Sequence, residues 1–255
     1  MSFTDNDPFL SQNMNSNASS QCYPIFNPDT KVVLEDENNR APKEDTLTPF
    51  WCQIYFYQFD HRLESFKGYG TEITIDGLCA PSDSSRFCLG IKGTIVANPV
   101  AETARRQIGD GCKLQVEGAD VRVLCLSDSP IFIQCPLYAA SFGDHLATVY
   151  RLSKNQSLCI FNNEKFTELL HSYKQKSYMT LLSLQNMCHI RISFVKGWGE
   201  YYRRRTITTT PCWVEVFLTE ALERLDGVLV SVESSERASA ETASSPPAVP
   251  PDGLS

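Results

Sequence analysis

Short stretches in which apolar and polar residues alternate recur through the middle of the chain. The first begins at Phe50 and is dense in aromatic and β-branched residues, and the later ones share this pattern. In chain order they are FWCQIYFYQF, TEITID, RFCLGIKGTIV, KLQVEGADVRVLCLS, PIFIQCPL and ATVYRL. Alternation with a period of two is typical of half-buried strands, and the Gly, Asp, Ser and Pro residues between them indicate turns. Short strands at roughly ten-residue spacing predict a mainly β protein built as an antiparallel β-sandwich.

Helical spacing interrupts this pattern in three places. PVAETARRQIG predicts a short helix that ends at Gly109, with Arg105 and Arg106 on its exposed side. A longer helical pattern begins near Asn162 or Asn163, either of which is a candidate N-cap. Ser177 separates its two periodic blocks, so the pattern predicts two helices or one bent helix. The segment EALERLDGVLV predicts a last helix with an apolar stripe formed by Leu222, Leu225 and Leu229.

Both ends of the chain lack such patterns. Residues 1–48 are rich in Asn, Ser, Asp, Pro and Lys, and residues 232–255 are rich in Ala, Ser, Pro and Glu. Neither segment has enough clustered apolar residues to offset the entropy of ordering, so both are predicted to be disordered. One folded domain is therefore expected over residues 49–231. The pair Thr48-Pro49 is compatible with a kinase target or with a turn before the first strand.

Composition and charge exclude several classes of protein. The chain has 255 residues, of which 42% are hydrophobic, with 30 acidic against 23 basic residues and a pI near 5.2. A nucleic-acid binder needs a broad basic face, so this acidic balance disfavours one. The N-terminal stretch has neither a basic region nor an apolar core, and no long apolar run occurs elsewhere, so neither a signal peptide nor a membrane span is expected.

The ten cysteines raise the question of a metal site, a disulfide framework or a catalytic thiol. None forms a C-x-x-C pair, most lie in strand-like segments, and the four histidines are not at ligand spacing from them. Buried free thiols in a reducing compartment, the cytosol or nucleus, are therefore predicted. Esterase, metalloprotease, nucleotide and dinucleotide motifs are absent from the sequence. We expect no enzyme and no cofactor; a catalytic cysteine with a histidine is the alternative.

The segment from Arg191 to Val216, RISFVKGWGEYYRRRTITTTPCWVEV, combines features of an anion-binding loop. Gly197 and Gly199 flank Trp198 between two strand-like ends, and Lys196 and a run of three arginines supply donors suited to phosphate or carboxylate. A solvated basic face is the alternative. An aromatic residue between two glycines, two adjacent tyrosines and the clustering of the arginines favour an anion-binding or partner-binding loop instead.

Several motifs in the chain together resemble the MH2 domain of the Smad signal transducers. They are RFCLG, CLSDSPIF, IFNN, FVKGWG and YRRRTITTTPCWVEV, and the resemblance covers about residues 50–231. It implies a Smad/FHA-like β-sandwich with a helical bundle at one end and a loop-helix region at the other. It also implies an intracellular signal transducer and transcriptional modulator in a TGF-β/activin-type receptor pathway, acting by phosphoserine-dependent association and Smad trimer formation.

The resemblance also assigns roles to particular residues. The family's L3 loop, which binds receptor and the phosphorylated tail of a neighbouring subunit, corresponds to the segment around Trp198. Lys196, Tyr202 and Arg203 would meet phosphoserine, with Arg151 where the family has a lysine, and Arg203 with Thr206 matches the TGF-β/activin branch. The family's trimer contacts would be made by Asp76, Arg86 and Asp226.

The partners implied are a type I receptor serine/threonine kinase, other Smads including a common-mediator Smad, and transcription cofactors, in the cytoplasm and nucleus. No direct DNA binding is expected, because residues 1–48 are too short and too polar for the family's MH1 domain, and no membrane contact is expected. The chain ends in PPDGLS where receptor-regulated members have Ser-Ser-x-Ser. Where the TGF-β branch has Gly-Trp-His-Pro, this chain has the residues Gly143 to Leu146, GDHL, which is expected to weaken recognition of apolar peptides.

An inhibitory role is the alternative within the same family. A chain with the L3 surface but without the terminal phospho-acceptors would occupy receptors or partner Smads unproductively. The two roles predict opposite results when the chain is removed, because loss of an antagonist raises target-gene output and loss of a mediator lowers it.

Overall fold

Two β-sheets account for most of the regular structure. A computed structural model describes residues 50–79, 81–90 and 98–243. The strands in this part of the chain are β1 (Cys52–Gln58), β2 (His61–Gly68), β3 (Glu72–Asp76), β4 (Arg86–Cys88), β5 (Cys112–Glu117), β6 (Asp120–Cys125), β7 (Ile131–Gln134), β8 (Val149–Leu152), β9 (Ser157–Phe161), β10 (His189–Phe194) and β11 (Trp213–Leu218).

The larger sheet has six strands in the order β2-β1-β11-β10-β7-β8, and all its pairs are antiparallel. The smaller sheet has the order β4-β3-β5-β6-β9, in which only the β3–β4 pair is parallel. Alternate residues of both sheets, such as Ile54 and Phe56 in β1 and Ile73 and Ile75 in β3, are fully buried in one shared core. The predicted antiparallel β-sandwich is therefore confirmed.

Helices occupy the connections between strands. They are α1 (Pro99–Ile108), α2 (Pro136–Phe142), α3 (Asn163–Lys174), α4 (Tyr178–Leu182) and α5 (Thr219–Ala243), together with two 3-10 helices, Ser183–Cys188 and Ile207–Thr209. Asn162 caps α3 by accepting the Lys165 N–H at 2.9 Å, and Ser177 caps α4 by accepting the Thr180 N–H at 3.2 Å. The helical region after Asn162 is therefore two helices, because a side-chain cap starts each one.

The register of β1 against β11 shows which end of the sandwich each helix occupies. Cys52 pairs with Leu218, the residue before α5, and α5 packs there against α3, α4 and the first 3-10 helix. At the other end of β1, Tyr57 pairs with Trp213, where the β10–β11 connection lies, and α1 reaches Gln58 through Arg105. A helical bundle at one end and a loop-helix region at the other are thus confirmed.

The position of Arg105 differs from the sequence prediction. It was expected on the exposed side of α1, but it is buried, donates from Nη2 to Gln58 Oε1 at 2.8 Å and lies 5.7 Å from the centre of the Phe56 ring. Its long aliphatic stem lets it pack in the core while its guanidinium keeps a polar partner. Of the two arginines, only Arg106 is on the exposed side of α1.

The last helix also differs from the sequence prediction. Leu225 and Leu229 are buried and Leu222 packs against the core, as the apolar stripe predicts. However, α5 continues past Ser231 to Ala243, whereas the predicted disordered tail begins at residue 232. The Ala, Ser and Glu residues beyond Ser231 carry no apolar periodicity, but Ala and Glu are compatible with helix extension from a packed first half. The predicted disordered arm, residues 1–48, and residues 244–255 of the tail lie outside the described residues.

The part of the chain that the structure describes holds no helix with both the length and the apolarity to cross a membrane.

Candidate functional site

The connection between β10 and β11, residues 195–212, is called the basic loop below. Its first turn is tight: Val195 has a positive φ of 69°, which is rare for a β-branched residue, and the Lys196 N–H donates to Phe194 O at 2.7 Å. Ser193 Oγ donates to Lys196 O at 2.7 Å, and the Val195 N–H donates to Pro130 O at 3.0 Å. These bonds fix the backbone of Lys196 relative to the sheet.

A row of five residues runs across the larger sheet beneath the basic loop. Tyr57 pairs with Trp213, Trp213 with Ser193, Ser193 with Phe132, and Phe132 with Arg151. Because residues directly opposite each other share one face of a sheet, all five side chains project to the same side. The Tyr57 and Trp213 rings stack with centroids 4.1 Å apart. The row therefore begins with the stacked rings of Tyr57 and Trp213, called the aromatic platform below, and ends at Arg151.

The basic loop folds over this row. Trp198 and Ile207 are both buried and form a small apolar cluster with Phe132 and Trp213, separate from the main core. Trp198 is only 5% exposed. We therefore expect Trp198 to support the loop rather than to contact a partner, because little of its ring is exposed.

Tyr202 is held between Phe132 and Gly197. Its ring meets the Phe132 ring edge to face, with centroids 5.4 Å apart. A Cβ atom added at Gly197 would lie 2.6 Å from the Tyr202 ring, so only glycine fits at this approach. The glycine before Trp198 is therefore required by packing against the Tyr202 ring.

The positive charges of the loop lie around this aromatic support. Arg203 is exposed, while Lys196 and Arg204 are half-buried. Arg205 donates from Nη1 to Glu200 O at 2.6 Å, and the Gly199 N–H donates to Arg204 O at 2.8 Å, which closes the loop tip. Among the residues that the structure describes, no acidic side chain forms an ion pair with Lys196, Arg203 or Arg204.

Arg151 and Thr206 are the two remaining residues predicted for this site. Arg151 is exposed, follows Phe132 in the row and donates from Nη1 to Ser153 Oγ at 3.3 Å. Thr206 is exposed, and its hydroxyl shares a hydrogen bond of 3.0 Å with that of Thr208. Of the six residues predicted for the phosphoserine and receptor site, Lys196, Trp198, Tyr202, Arg203 and Thr206 lie on the basic loop, and Arg151 lies at the end of the row beneath it.

The three residues predicted for a trimer interface are placed differently. Asp76 is fully buried, and its carboxylate accepts from Arg86 Nε at 2.5 Å and from the Leu78 N–H at 2.8 Å. Asp76 and Arg86 therefore form a pair within one chain, across the parallel β3–β4 contact. Asp226 is exposed on α5, in the helical bundle.

A charged group that the sequence pattern did not identify lies one row away from the aromatic platform. Glu215 is paired with Arg191 across β10 and β11, and its Oε1 atom lies 2.7 Å from His189 Nε2 and 3.1 Å from Arg191 Nε. Tyr57 donates its hydroxyl to Glu215 Oε2 at 3.1 Å, which links this group to the row beneath the basic loop. Burial would raise the pKa of Glu215, but the hydrogen bonds and charges of His189 and Arg191 outweigh burial and lower that pKa to about 2.

This pKa predicts how stability depends on acid. Because the folded-state pKa of Glu215 lies below its ordinary value of 4.5, its contribution is present above about pH 4.5 and is lost as the pH falls toward 2. Full loss amounts to roughly 3 kcal/mol. We expect Glu215→Gln to flatten the fall in unfolding free energy between about pH 5 and pH 2, measured by urea denaturation.

The control for this experiment is Glu72→Gln, which removes an exposed carboxylate that is paired with Lys113. Solvent screens that pair, so the pH dependence should change much less. A Glu215→Gln protein with the same acid slope as the unmodified chain would contradict the assignment.

Most of the cysteine thiols that the structure describes are buried. Nine are described, all unpaired, and only Cys79 is exposed. Burial raises the pKa of Cys188 to about 12 and of Cys212 to about 11, so their thiolate forms are scarce at neutral pH. No cluster of three His, Cys, Asp or Glu residues suited to a metal occurs in this part of the chain.

The GDHL segment follows α2. Gly143 ends the helix in a left-handed conformation, and Asp144 accepts the Tyr150 hydroxyl at 2.7 Å. Phe142 is 67% exposed and Leu146 42% exposed on either side. Asp144 therefore lies between two exposed apolar residues in the sequence and adds a carboxylate to this segment.

Comparisons with known proteins identify the class of domain through one family model. The family model for the MH2 domain matches residues 49–219. Among solved structures, the chain is similar to the IAD domain of interferon regulatory factor 9, with 12% identity over 78% of this chain and 97% of that chain and a TM-score of 0.49. It is also similar to a chain in the structure of STAT2 in complex with IRF9, with 14% identity over 70% of this chain and 99% of that chain and a TM-score of 0.46.

Proposed function

We infer the function from one premise, which is that this chain belongs to the MH2 domain family. Membership of this family indicates a role in association with other proteins. We propose that the chain is a signal transducer and transcriptional modulator in a TGF-β/activin-type receptor pathway, working in the cytoplasm and nucleus. It acts by binding phosphoserine on partner proteins through the basic loop and by forming trimers with other Smads.

One observation carries the phosphoserine proposal. Lys196, Arg203 and Arg204 have no acidic partner among the described residues, and their loop is fastened to a buried aromatic row. Unpaired cations on a rigid support are arranged to receive an anion from another molecule, because little ordering entropy remains to be lost on binding. A solvated basic face would not need a buried tryptophan beneath it.

The charges also fit the ligand in number and type. A phosphoserine carries nearly two negative charges and three acceptor oxygens at neutral pH. Arg203 and Arg151 offer planar guanidinium groups that bind two oxygens at once, and Lys196 offers a point charge. Two phosphates separated by one residue would use this surface more fully than one, because Arg151 at the end of the row and Arg203 on the basic loop supply two separate guanidinium groups.

The receptor and its pathway branch are proposed from two exposed positions. Arg203 and Thr206 are exposed on the basic loop, where a partner surface can read them. Their identities are those of the TGF-β/activin type, so a type I receptor serine/threonine kinase of that type is the proposed upstream partner. Other Smads, including a common-mediator Smad, and transcription cofactors are the proposed downstream partners.

Titration with a doubly phosphorylated Ser-x-Ser peptide tests the binding site. We expect Lys196→Ala and Arg203→Ala each to weaken binding by roughly 1.5–3 kcal/mol, because each removes a charge-assisted contact. The affinity should also fall as salt is raised from low to physiological concentration. Isothermal titration calorimetry on the full chain gives both results.

Arg106→Ala is the matched control, since Arg106 is an exposed arginine on α1, outside the basic loop. It should leave the affinity unchanged. Equal affinity for the phosphorylated and unphosphorylated peptides, or equal loss in Arg106→Ala and Arg203→Ala, would reject phosphoserine binding by this loop.

A further inference from the structure

Thr206 directly follows three arginines on the basic loop, so arginines occupy the positions one, two and three residues before it. Kinases discriminate among substrates largely by charge patterns around the acceptor. A basophilic serine/threonine kinase presents acidic pockets to arginines two and three residues before its acceptor, which here are Arg204 and Arg203. We propose that Thr206 is a phosphorylation site for a kinase of this class, and that its phosphate prevents phosphorylated partners from binding to the basic loop.

The backbone around Thr206 suits a kinase groove, which holds its substrate as an extended strand. Thr206 has φ −124° and ψ 151°, an extended conformation. The backbone N–H groups of residues 203–206 donate no hydrogen bond within the described part of the chain. The side chains of Arg203, Arg205 and Thr206 are exposed. The acceptor and Arg203 are thus at the surface, Arg204 between them is half-buried, and backbone donors are available for a partner.

The neighbouring threonines do not meet the same conditions. Thr208 lies in the 3-10 helix Ile207–Thr209 and has an arginine three residues before it but a threonine two residues before it. Thr209 donates its hydroxyl to Thr206 O at 2.6 Å. Thr210 is fully buried and donates its hydroxyl to Ile207 O at 2.6 Å. Thr206 is therefore the acceptor that the arginine pattern and the exposure both select.

The modification is an ordinary phosphoryl transfer from ATP. A bond forms between Thr206 Oγ1 and the γ-phosphorus, the bond from that phosphorus to the bridging oxygen of ADP breaks, and the hydroxyl proton passes to the general base of the kinase. The product replaces the hydrogen bond between Thr206 and Thr208 with a group carrying nearly two negative charges. Phosphate beside an arginine cluster forms charge-assisted hydrogen bonds, so Arg203 and its neighbours gain an acceptor within their own loop.

The consequence for binding rests on the proposed phosphoserine function. A phosphate attached to the loop meets Arg203 at far higher effective concentration than a phosphate on another chain. It also repels that second phosphate. Phosphorylation of Thr206 therefore opposes capture of phosphorylated partners, whereas phosphorylation of a partner's serines promotes it.

The first experiment treats the full chain with ATP and the catalytic subunit of a kinase that selects arginine two and three residues before its acceptor. We expect about one phosphate per chain, located at Thr206 by mass spectrometry. Thr206→Ala should abolish this phosphate, Thr206→Ser should retain it, and Thr208→Ala should leave it unchanged. Arg203→Ala and Arg204→Ala should each slow it by about tenfold.

Ser153 provides an internal comparison, because it has Arg151 two residues before it but no arginine three residues before it. Label on Ser153 or Thr208 in place of Thr206, or equal labelling of the unmodified chain and Thr206→Ala, would overturn the site.

The second experiment titrates the unmodified and the Thr206-phosphorylated chain with the doubly phosphorylated Ser-x-Ser peptide. The phosphorylated chain should bind about tenfold more weakly or worse. Equal affinity of the two forms would overturn the switch. Failure of the unmodified chain to bind the peptide would reject the phosphoserine function and with it the switch, while the labelling result would still decide the site.

Discussion

Asp76→Ala is expected to lower the unfolding free energy of the domain by about 3 kcal/mol, measured by urea denaturation. The fully buried carboxylate accepts from Arg86 Nε and from the Leu78 N–H, and alanine leaves both donors without that partner. Breaking a buried ion pair typically costs about 3–5 kcal/mol. The lower end applies here because the Arg86 side chain is 36% exposed and can regain water.

The same variant separates a role within the chain from a role between chains. If Asp76 acts mainly in a trimer interface, the effect of its replacement should grow with protein concentration, because association stabilises by mass action. We expect an effect that is independent of concentration. Asp226→Ala is the matched control: it removes an exposed aspartate from α5 and should change monomer stability by no more than about 0.5 kcal/mol. An equal loss in both variants, or a loss in Asp76→Ala only where trimers form, would contradict this assignment.

The burial of Asp76 also shows where sequence reasoning stops. The strand ending at Asp76 is visible in the alternation of TEITID, because every second residue enters the core. The partner of its carboxylate is Arg86, which β4 brings alongside β3 only after the intervening segment has folded back. No local pattern records such a contact. The family resemblance pointed to these residues as trimer contacts, and that role stays a prediction.

Two of the elements that the sequence did not predict, β2 and α2, were missed for local reasons. β2 is an edge strand whose side chains are mostly exposed or half-buried, so its sequence HRLESFKG lacks the strict alternation of a half-buried strand. α2 begins at Pro136 inside a segment, PIFIQCPL, that was predicted as one strand. Proline is favoured in the first turn of a helix, and this signal was outweighed by the run of apolar residues. The sequence therefore predicted helices and strands correctly where their buried residues repeat with one period. It missed them where few side chains are buried or where that period changes.

For the basic loop, the local residues were predicted but the long-range contacts were not. Its cations and glycines were recognisable from composition alone, and they lie in the single connection between β10 and β11. What the sequence did not reveal is the support beneath them: the pairing of Tyr57, Trp213, Ser193 and Phe132 depends on the order of four strands that are distant in the chain. That order explains why Gly197 and Trp198 are needed beside the charges, since one admits the Tyr202 ring and the other fills the space over Phe132.

Trp198→Ala tests whether the loop works through this support. We expect a loss of about 3–5 kcal/mol in unfolding free energy, the range for truncating a buried large aromatic residue, because Trp198 is only 5% exposed and packs with Phe132, Ile207 and Trp213. Binding of the doubly phosphorylated peptide should fall with it, because Lys196 and Arg203 lose their fixed positions. Urea denaturation and calorimetric titration of the same preparation measure both effects.

Tyr201→Ala is the control for this variant, since Tyr201 is an aromatic residue of the same loop that is 89% exposed. It should change stability by no more than about 0.5 kcal/mol. If Trp198→Ala weakens peptide binding while its stability equals that of Tyr201→Ala, the indole contacts the ligand directly and the supporting role is wrong. If stability and binding fall together and Trp198→Phe restores part of both, the tryptophan acts by holding the cations in place, as its burial requires.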